Sequence, residues 1–166
     1  MTGESPRADL ELQVLDVVER IVASLPPGTA DLAVEETGPS MTARIEPSNP
    51  GAAEVAVHVE SGVPVIDVIL GKGGFFEVST ERSRFSDLEE PLDEVRALCL
   101  AAVRGNYRET IRLKGDEVVS SRGIVTIGSR EEPVRWKQLF TNPFRRSVHR
   151  VLRYEPYVGD EEGEKD

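Results

Sequence analysis

Residues 55–70, VAVHVESGVPVIDVIL, decide the fold of this 166-residue chain. Valines at every second position alternate with smaller or polar residues, and this period of two is typical of a strand with one buried face. The Ser61-Gly62 pair that follows favours a tight reversal of the chain. A two-residue loop pairs Glu60 with Val63. The stretch therefore predicts a β-hairpin with a defined register.

The predicted register gives the hairpin two unlike faces. The valines of its first strand share one face with Ile66 and Val68, which makes that face part of the core. The other face carries His58 and Asp67 as diagonal neighbours. Three apolar residues also lie on this mixed face: Val63, Val65 and Ile69. Because a solvated face does not need so much apolar surface, we expect another element of the chain or a partner molecule to cover these three residues.

The first part of the chain predicts a helix followed by short strands. Apolar residues from Leu10 to Leu25 recur at helical spacing, and Pro26 ends that helix. Residues 30–36 and 41–46 are weakly alternating, with turn residues around them, and are interpreted as strands that precede the hairpin.

The second half predicts another helix, a sheet and a final helix. The second helix begins at Pro91 and ends at Gly105. Alternation returns over residues 107–127 and predicts a three-stranded meander. Residues 131–133 are expected to end this strand region. A final helix begins at Asn142 as its N-cap. The predicted fold class is therefore α+β, a single domain of mostly antiparallel sheet with flanking helices in the order α-β4-α-β3-α.

Length and composition favour one domain, because 166 residues are enough to bury a core without disulfide bonds. We expect residues 1–7 to form a flexible N-terminus, residues 8–157 to form the α+β domain, and residues 158–166 to form a disordered acidic tail. Cys99 is the only cysteine, which excludes a disulfide within the chain.

The sequence predicts a cytoplasmic protein of bacterial origin. Met1 leads into a charged segment without the apolar core of a signal peptide. The longest apolar run, residues 63–70, contains Asp67 and is far shorter than the roughly 20 residues that cross a bilayer, so no membrane location is expected. Sixteen arginines against four lysines, together with many Ala, Val and Gly residues, are typical of a GC-rich bacterial source.

Charge is unevenly distributed along the chain. The net charge is −10, yet residues 135–157 hold six cations and one acid, Glu155. Strong overall acidity makes nucleic acid an unlikely partner. Five aromatic residues lie among these cations, a composition typical of surfaces that bind bases or acidic peptides. Two interpretations stay open: the acidic tail neutralises these cations, or they form a binding patch. The candidate binding residues on the final helix are Arg145, Arg146, Arg150 and Arg153.

Candidate catalytic and metal-binding motifs are weak. The Gly-Lys pair within residues 71–74 lacks the Ser or Thr that a phosphate-binding loop needs after the lysine, so we interpret it as a hairpin turn. His58 and Asp67 are the best pair for orienting a base and form a candidate polar site, but no nucleophile motif accompanies them. His58, His149 and Cys99 lack zinc-ligand spacing, and Cys99 is expected to be a buried apolar residue. We predict no metal, no cofactor and no catalytic residue.

The order of predicted elements is similar to that of small acidic secretion chaperones, and toxin-neutralising immunity proteins have comparable size and charge. The analogy carries no residue over. We therefore expect a small acidic protein that acts by binding another protein, as a chaperone, an immunity protein or an adaptor does, with homodimerisation through the mixed face as the simplest form. One alternative is a small-molecule enzyme or ligand-binding protein with a pocket between sheet and helices. Another is nucleic-acid binding through the arginine-rich C-terminal helix.

Overall fold

The computed structural model of the protein describes residues 6–81, 90–137 and 147–158. Within these residues the chain forms two helices and nine strands in the order α-β5-α-β4. The elements are α1 Pro6–Ala23, β1 Ala30–Thr37, β2 Ser40–Pro47, β3 Val55–Glu60, β4 Val65–Leu70, β5 Gly74–Ser79, α2 Pro91–Val103, β6 Tyr107–Lys114, β7 Glu117–Ile127, β8 Arg130–Lys137 and β9 Ser147–Arg153. The predicted α+β fold in the order α-β4-α-β3-α is therefore wrong, because the described chain is mostly antiparallel sheet with two helices.

The first sheet is a five-stranded antiparallel meander in the order β1-β2-β3-β4-β5. On β2 to β5 every second side chain points to the helices and is buried. The buried set of strands β2 to β5 is Met41, Ala43, Ile45, Val55, Val57, Val59, Ile66, Val68, Leu70, Phe76 and Val78. Helices α1 and α2 pack on this face through Val14, Val18, Ile21, Val95, Leu98 and Cys99. We call the other side, with Thr42, His58, Asp67, Ile69 and Glu77, the open face.

The hairpin of residues 55–70 forms with the predicted faces but with another register. His58 lies directly opposite Asp67 instead of diagonally. The loop comprises residues 61–64 and not two residues. Pro64 explains the difference, because β4 has a strand on each side and a proline within it would leave a neighbouring carbonyl without its donor. A shift of two residues keeps each side chain on its predicted face.

The second sheet has four antiparallel strands in the order β8-β7-β6-β9. Alternate side chains of these strands form its inward face, which joins the core under α2. The buried residues of this inward face are Tyr107, Glu109, Ile111, Ser121, Gly123, Val125 and Val134. The other side of the sheet is its outward face.

The predicted final helix is wrong where the structure describes it, because residues 147–153 form β9, which pairs with β6. Seven residues with spaced apolar side chains fit a helix or a strand equally well. Pairing with β6 decides the outcome, since it satisfies backbone groups of both segments. The proposed cap Asn142 lies outside the described residues. The predicted three strands within residues 107–127 are also wrong, because that range holds two strands, β6 and β7. The predicted break at residues 131–133 is wrong too, because β8 runs through them as an edge strand, and edge strands accept a proline such as Pro133.

A buried carboxylate connects the two sheets. Glu109, on the inward face of β6, is 2% exposed. Its Oε1 accepts hydrogen bonds from the Lys72 backbone N–H at 2.7 Å and from the Tyr154 hydroxyl. Its Oε2 accepts from Ser121 Oγ at 2.6 Å and from the Tyr107 hydroxyl at 3.2 Å. These four donors match the lone pairs of a carboxylate and hold the β4–β5 turn, which contains Lys72, against the second sheet.

This contact explains the glycines of residues 71–74. A Cβ at Gly71 would lie 2.6 Å from Tyr154 Cζ and 2.7 Å from Glu109 Oε1. A Cβ at Gly74 would lie 2.8 Å from Tyr107 Cζ. The segment is the turn between β4 and β5, as the hairpin-turn interpretation predicted. Its glycines allow the close approach of the second sheet.

Candidate functional site

The predicted apolar partner-binding residues are spread along β4 and the loop before it. Val65 and Ile69 belong to β4, and Val63 lies in the loop before it. Val63 is 41% exposed and Ile69 is 36% exposed. The structure places both helices of the described chain on the opposite face of this sheet. Neither of these two helices therefore covers the three residues.

The predicted polar pair also lies on the open face. His58 is directly opposite Asp67, and its Nδ1 is 2.9 Å from the hydroxyl of Thr42. Burial raises the pKa of Asp67; the nearby His58 lowers it, and Glu77 and Glu60 raise it further. The pair occupies a sheet surface and does not line any of the larger pockets of the described chain. This geometry supports a polar surface row better than an enclosed catalytic site.

The four predicted arginines separate in the structure. Arg150 and Arg153 are three residues apart in β9, so they point to opposite sides of the second sheet. Arg153 lies opposite Arg108 on the outward face, whereas Arg150 lies opposite the inward-pointing Ile111. Arg145 and Arg146 lie outside the described residues.

The outward face of the second sheet collects cations from all four strands. Strand β6 contributes Arg108 and Arg112, and its partners contribute the others. We call this surface the arginine face: Arg108, Arg112, Arg122, Arg135, His149 and Arg153. It belongs to a chain of net charge −10. The arginine face therefore has a positive local charge, opposite in sign to the net charge of the whole chain.

The register places like charges side by side. Arg122 of β7 lies directly opposite Arg135 of β8, and Arg112 lies in the next row beside the imidazole of His149. Side chains directly opposite in antiparallel strands have Cβ atoms roughly 4.5–5.5 Å apart, and like charges in that arrangement destabilise a sheet. Among the described residues no carboxylate lies within 4 Å of Arg112, Arg122 or Arg135.

Other arginines of the described chain have acidic partners. Arg108 contacts Glu131 at 3.1 Å, and Arg44 contacts Glu35 and Glu54 at 3.6 and 3.5 Å. Arg96, Arg104 and Arg150 likewise have no carboxylate within 4 Å among the described residues, so what distinguishes Arg122 and Arg135 is their direct opposition on neighbouring strands. The Nε atom of Arg112 is buried and also has no hydrogen-bond partner in the described structure.

A pocket of about 470 Å³ lies among these cations. We call it the arginine pocket; its polar wall consists of Thr110, Arg112, Ser120, Arg122, Arg135 and His149. A second pocket of about 380 Å³ lies at Arg108 and Arg153. A small depression of about 100 Å³ shares Arg108 with the second pocket and Arg122 with the first, so the three depressions adjoin along the arginine face, and we call them together the groove.

The groove has the chemistry of an anion-binding surface. A guanidinium is planar and always charged, and its fork of N–H donors matches the oxygens of carboxylates and phosphates. The hydroxyls of Thr110 and Ser120 add donors between the arginines. Among the described residues no group of three or more His, Cys, Asp and Glu side chains is placed to hold a metal ion.

Cys99 is fully buried in α2, as the sequence predicted. Burial raises the pKa of its thiol to about 12, so it is protonated at neutral pH and is not a nucleophile in the folded protein.

No protein-family model matches the chain, and comparisons with curated proteins and with solved structures find no match either. Neither helix of the described chain is both long enough and apolar enough to cross a bilayer.

Of the arginine face, sequence reasoning named only Arg153 as a candidate binding residue. It placed Arg135 in the basic segment 135–157 and missed Arg108, Arg112, Arg122 and His149. It searched for a continuous basic segment, whereas the cations come from four strands that are separate in sequence. A signal was present in β6, where Arg108, Thr110 and Arg112 occupy every second position of a predicted strand. Such spacing places both cations on one side of the sheet.

Proposed function

We propose that this protein binds an acidic segment of another protein through the arginine face. The observation that carries the proposal is the direct opposition of Arg122 and Arg135, beside Arg112, with no carboxylate near them among the described residues. Such an arrangement costs stability in the free protein. An acidic ligand removes that cost, so binding gains from relief of repulsion as well as from new contacts.

An extended peptide fits the spacing of this face. The cations stand in three rows: Arg108 with Arg153, Arg122 with Arg135, and Arg112 with His149. Successive rows are two residues apart along the strands, which is roughly 6.6–6.8 Å. Alternate side chains of an extended peptide have the same spacing. Acidic residues at every second position of a partner segment therefore meet successive rows.

A nucleic acid fits less well. Surfaces that bind single strands combine cations with aromatic rings on which bases stack. The outward positions of the described strands hold no aromatic residue, and Trp136, at the wall of the pocket, occupies an inward position opposite Ser121. The net charge of −10 also repels a long polyanion.

Fluorescence anisotropy with a labelled 11-residue peptide tests the proposal. The peptide has glutamate at every second position and serine between. We expect binding at low salt that weakens as salt is added, and a loss of about tenfold or more in the double variant Arg122→Glu/Arg135→Glu.

The matched control is Arg20→Glu/Arg96→Glu, which makes the same change of net charge at exposed helical positions away from the arginine face. We expect this control to bind nearly as well as the wild type. Equal losses in both double variants would contradict a local site. A uridine oligomer of equal charge that binds more tightly than the peptide would favour nucleic acid instead.

A second candidate is self-association through the open face. The exposed apolar side chains of Val63 and Ile69 favour it, because exposed apolar surface is a feature of contact sites. Sedimentation at micromolar concentration tests it. We expect a dimer that Ile69→Glu converts to a monomer, whereas a monomeric wild-type protein would rule out this candidate.

A further inference from the structure

We propose that the arginine pocket binds a phosphoryl group carried by a side chain of the partner, such as phosphothreonine or phosphoserine. This inference rests on the proposed function and gives it a chemical specificity. It assigns the pocket one ligand class, a phosphomonoester, within the longer acidic segment that the arginine face binds.

Charge balance favours a phosphomonoester over other anions. Arg112, Arg122 and Arg135 bring three positive charges to one pocket. A phosphomonoester carries about −1.5 to −2 at neutral pH, whereas a carboxylate carries one negative charge. A single glutamate would leave most of the charge repulsion in place. A phosphorylated residue would balance most of it.

The arrangement of donors favours a group with three oxygens. Arg122 lies between Arg135 and Thr110 in one row across the sheet, and Ser120 lies opposite Arg112 in the next. Donors therefore approach a common point from three strands. A planar carboxylate is matched by one guanidinium, whereas the three free oxygens of a phosphoryl group accept from several donors at once.

The buried Nε of Arg112 points to a missing acceptor. This atom has no hydrogen-bond partner in the described structure, although Arg112 lines the pocket. Buried donors in folded proteins nearly always have a partner. Because this Nε is buried, the rest of the guanidinium faces a ligand in the pocket, and a phosphate oxygen there would supply Arg112 with a charged acceptor.

The size of the pocket indicates a phosphoryl group attached to a chain. A volume of about 470 Å³ exceeds what an inorganic phosphate fills and falls in the range of sites for larger ligands. The groove continues from the pocket to Arg108 and Arg153, which leaves room for the residues on one side of a phosphorylated side chain.

Three 11-residue peptides that differ only at the centre test this proposal. Each has glutamate at alternate positions and serine between, and the central glutamate position holds glutamate, threonine or phosphothreonine. We expect the phosphothreonine peptide to bind about tenfold or more tightly than the threonine peptide, and clearly more tightly than the glutamate peptide. Anisotropy on the full chain gives all three dissociation constants.

Variants separate the pocket from the rest of the arginine face. Arg135→Gln, at an exposed position on the edge strand β8, should remove most of the gain from phosphorylation, and Arg112→Gln should do the same. The matched control Arg108→Gln changes an arginine of the same face that already contacts Glu131 and lies outside the pocket. It should weaken the three peptides by a similar factor. Circular dichroism confirms that each variant is folded.

The outcomes distinguish this inference from the proposed function. If the glutamate peptide binds to the arginine face and phosphothreonine gives less than about a twofold gain, the phosphoryl site is wrong and the proposed function stands. If no peptide binds, both are wrong. If inorganic phosphate competes as effectively as the phosphothreonine peptide, the ligand is free phosphate and the partner-borne group is excluded.

Discussion

Replacing Gly71 by alanine tests how the two sheets are connected, and Gly62 supplies a matched control. Both glycines have positive φ, +62° at Gly71 and +81° at Gly62. An alanine in this left-handed region costs roughly 1–2 kcal/mol at either site. The surroundings differ, because a Cβ at Gly62 meets nothing within 4 Å, whereas one at Gly71 collides with Tyr154 and Glu109.

The difference between the two variants therefore measures the collision. Overpacking of this kind costs roughly 1–3 kcal/mol. Displacing the Tyr154 hydroxyl also weakens the hydrogen bond that it donates to Glu109 and the one that it accepts from the Lys72 N–H. We expect Gly62→Ala to lower the free energy of unfolding by about 1 kcal/mol and Gly71→Ala by about 3–4 kcal/mol.

Urea denaturation followed by circular dichroism measures both values. With a slope of about 2 kcal/mol per molar urea, the Gly71→Ala midpoint should lie about 1–1.5 M below that of Gly62→Ala. Adding Tyr154→Phe to Gly71→Ala removes the nearest oxygen, so the two changes should be less than additive by about 1 kcal/mol. Equal midpoints for the two alanine variants would refute the contact between the turn and the second sheet.

Three further predictions follow from single positions. Because burial raises the pKa of Asp67 in the folded state, its contribution to stability falls as pH rises through the unfolded-state value; Asp67→Asn should raise the melting temperature at pH 7 but not at pH 3. Cys99 should resist a thiol reagent in the native protein and react quickly in denaturant, and rapid native reaction would contradict its burial. Arg153→Glu should weaken binding of the alternating glutamate peptide by several-fold, whereas Arg150→Glu should have a much smaller effect; equal losses would contradict the strand assignment of β9.

The hairpin of residues 55–70 could be predicted because its faces depend on a local pattern. Alternating valines determine which side of the hairpin is buried, and that prediction is confirmed although the observed register differs from the predicted one by two residues. The register could not be predicted from the turn residues alone. Pro64 sets the register, because a proline cannot donate a hydrogen bond to a neighbouring strand and is therefore kept out of β4. The residues of one hairpin do not show that β4 has a second neighbouring strand.

The last element was mispredicted because its structure depends on a distant partner. Residues 147–153 have apolar side chains that suit a helix, and the preceding cap residues strengthen that interpretation. Its pairing partner β6 lies about 40 positions earlier in the sequence, so the local sequence of residues 147–153 does not reveal the pairing. The exposed apolar residues Val148 and Val151 fit a two-sided edge strand better than a helix with one buried stripe.

The Glu109 contact was also missed, although the sequence contained a clue. Glu109 occupies the same alternation as Tyr107 and Ile111, so it belongs to the buried set of β6. An acid at such a position must find donors. Sequence alone cannot name them, because Lys72 and Tyr154 come from other parts of the chain.

The core fixes the positions of the residues on the arginine face but not their type. The register of β7 and β8 is set by the inward side chains, among them Val125 and Val134, and a shift of one residue would turn these to solvent. The core therefore fixes that positions 122 and 135 lie opposite each other, but it does not require arginine at either, because any polar residue suits an outward position. Two arginines there oppose stability, and neighbouring acids in the described chain do not offset them. Residues that folding does not require and that stability opposes support the proposal that an anion binds between them.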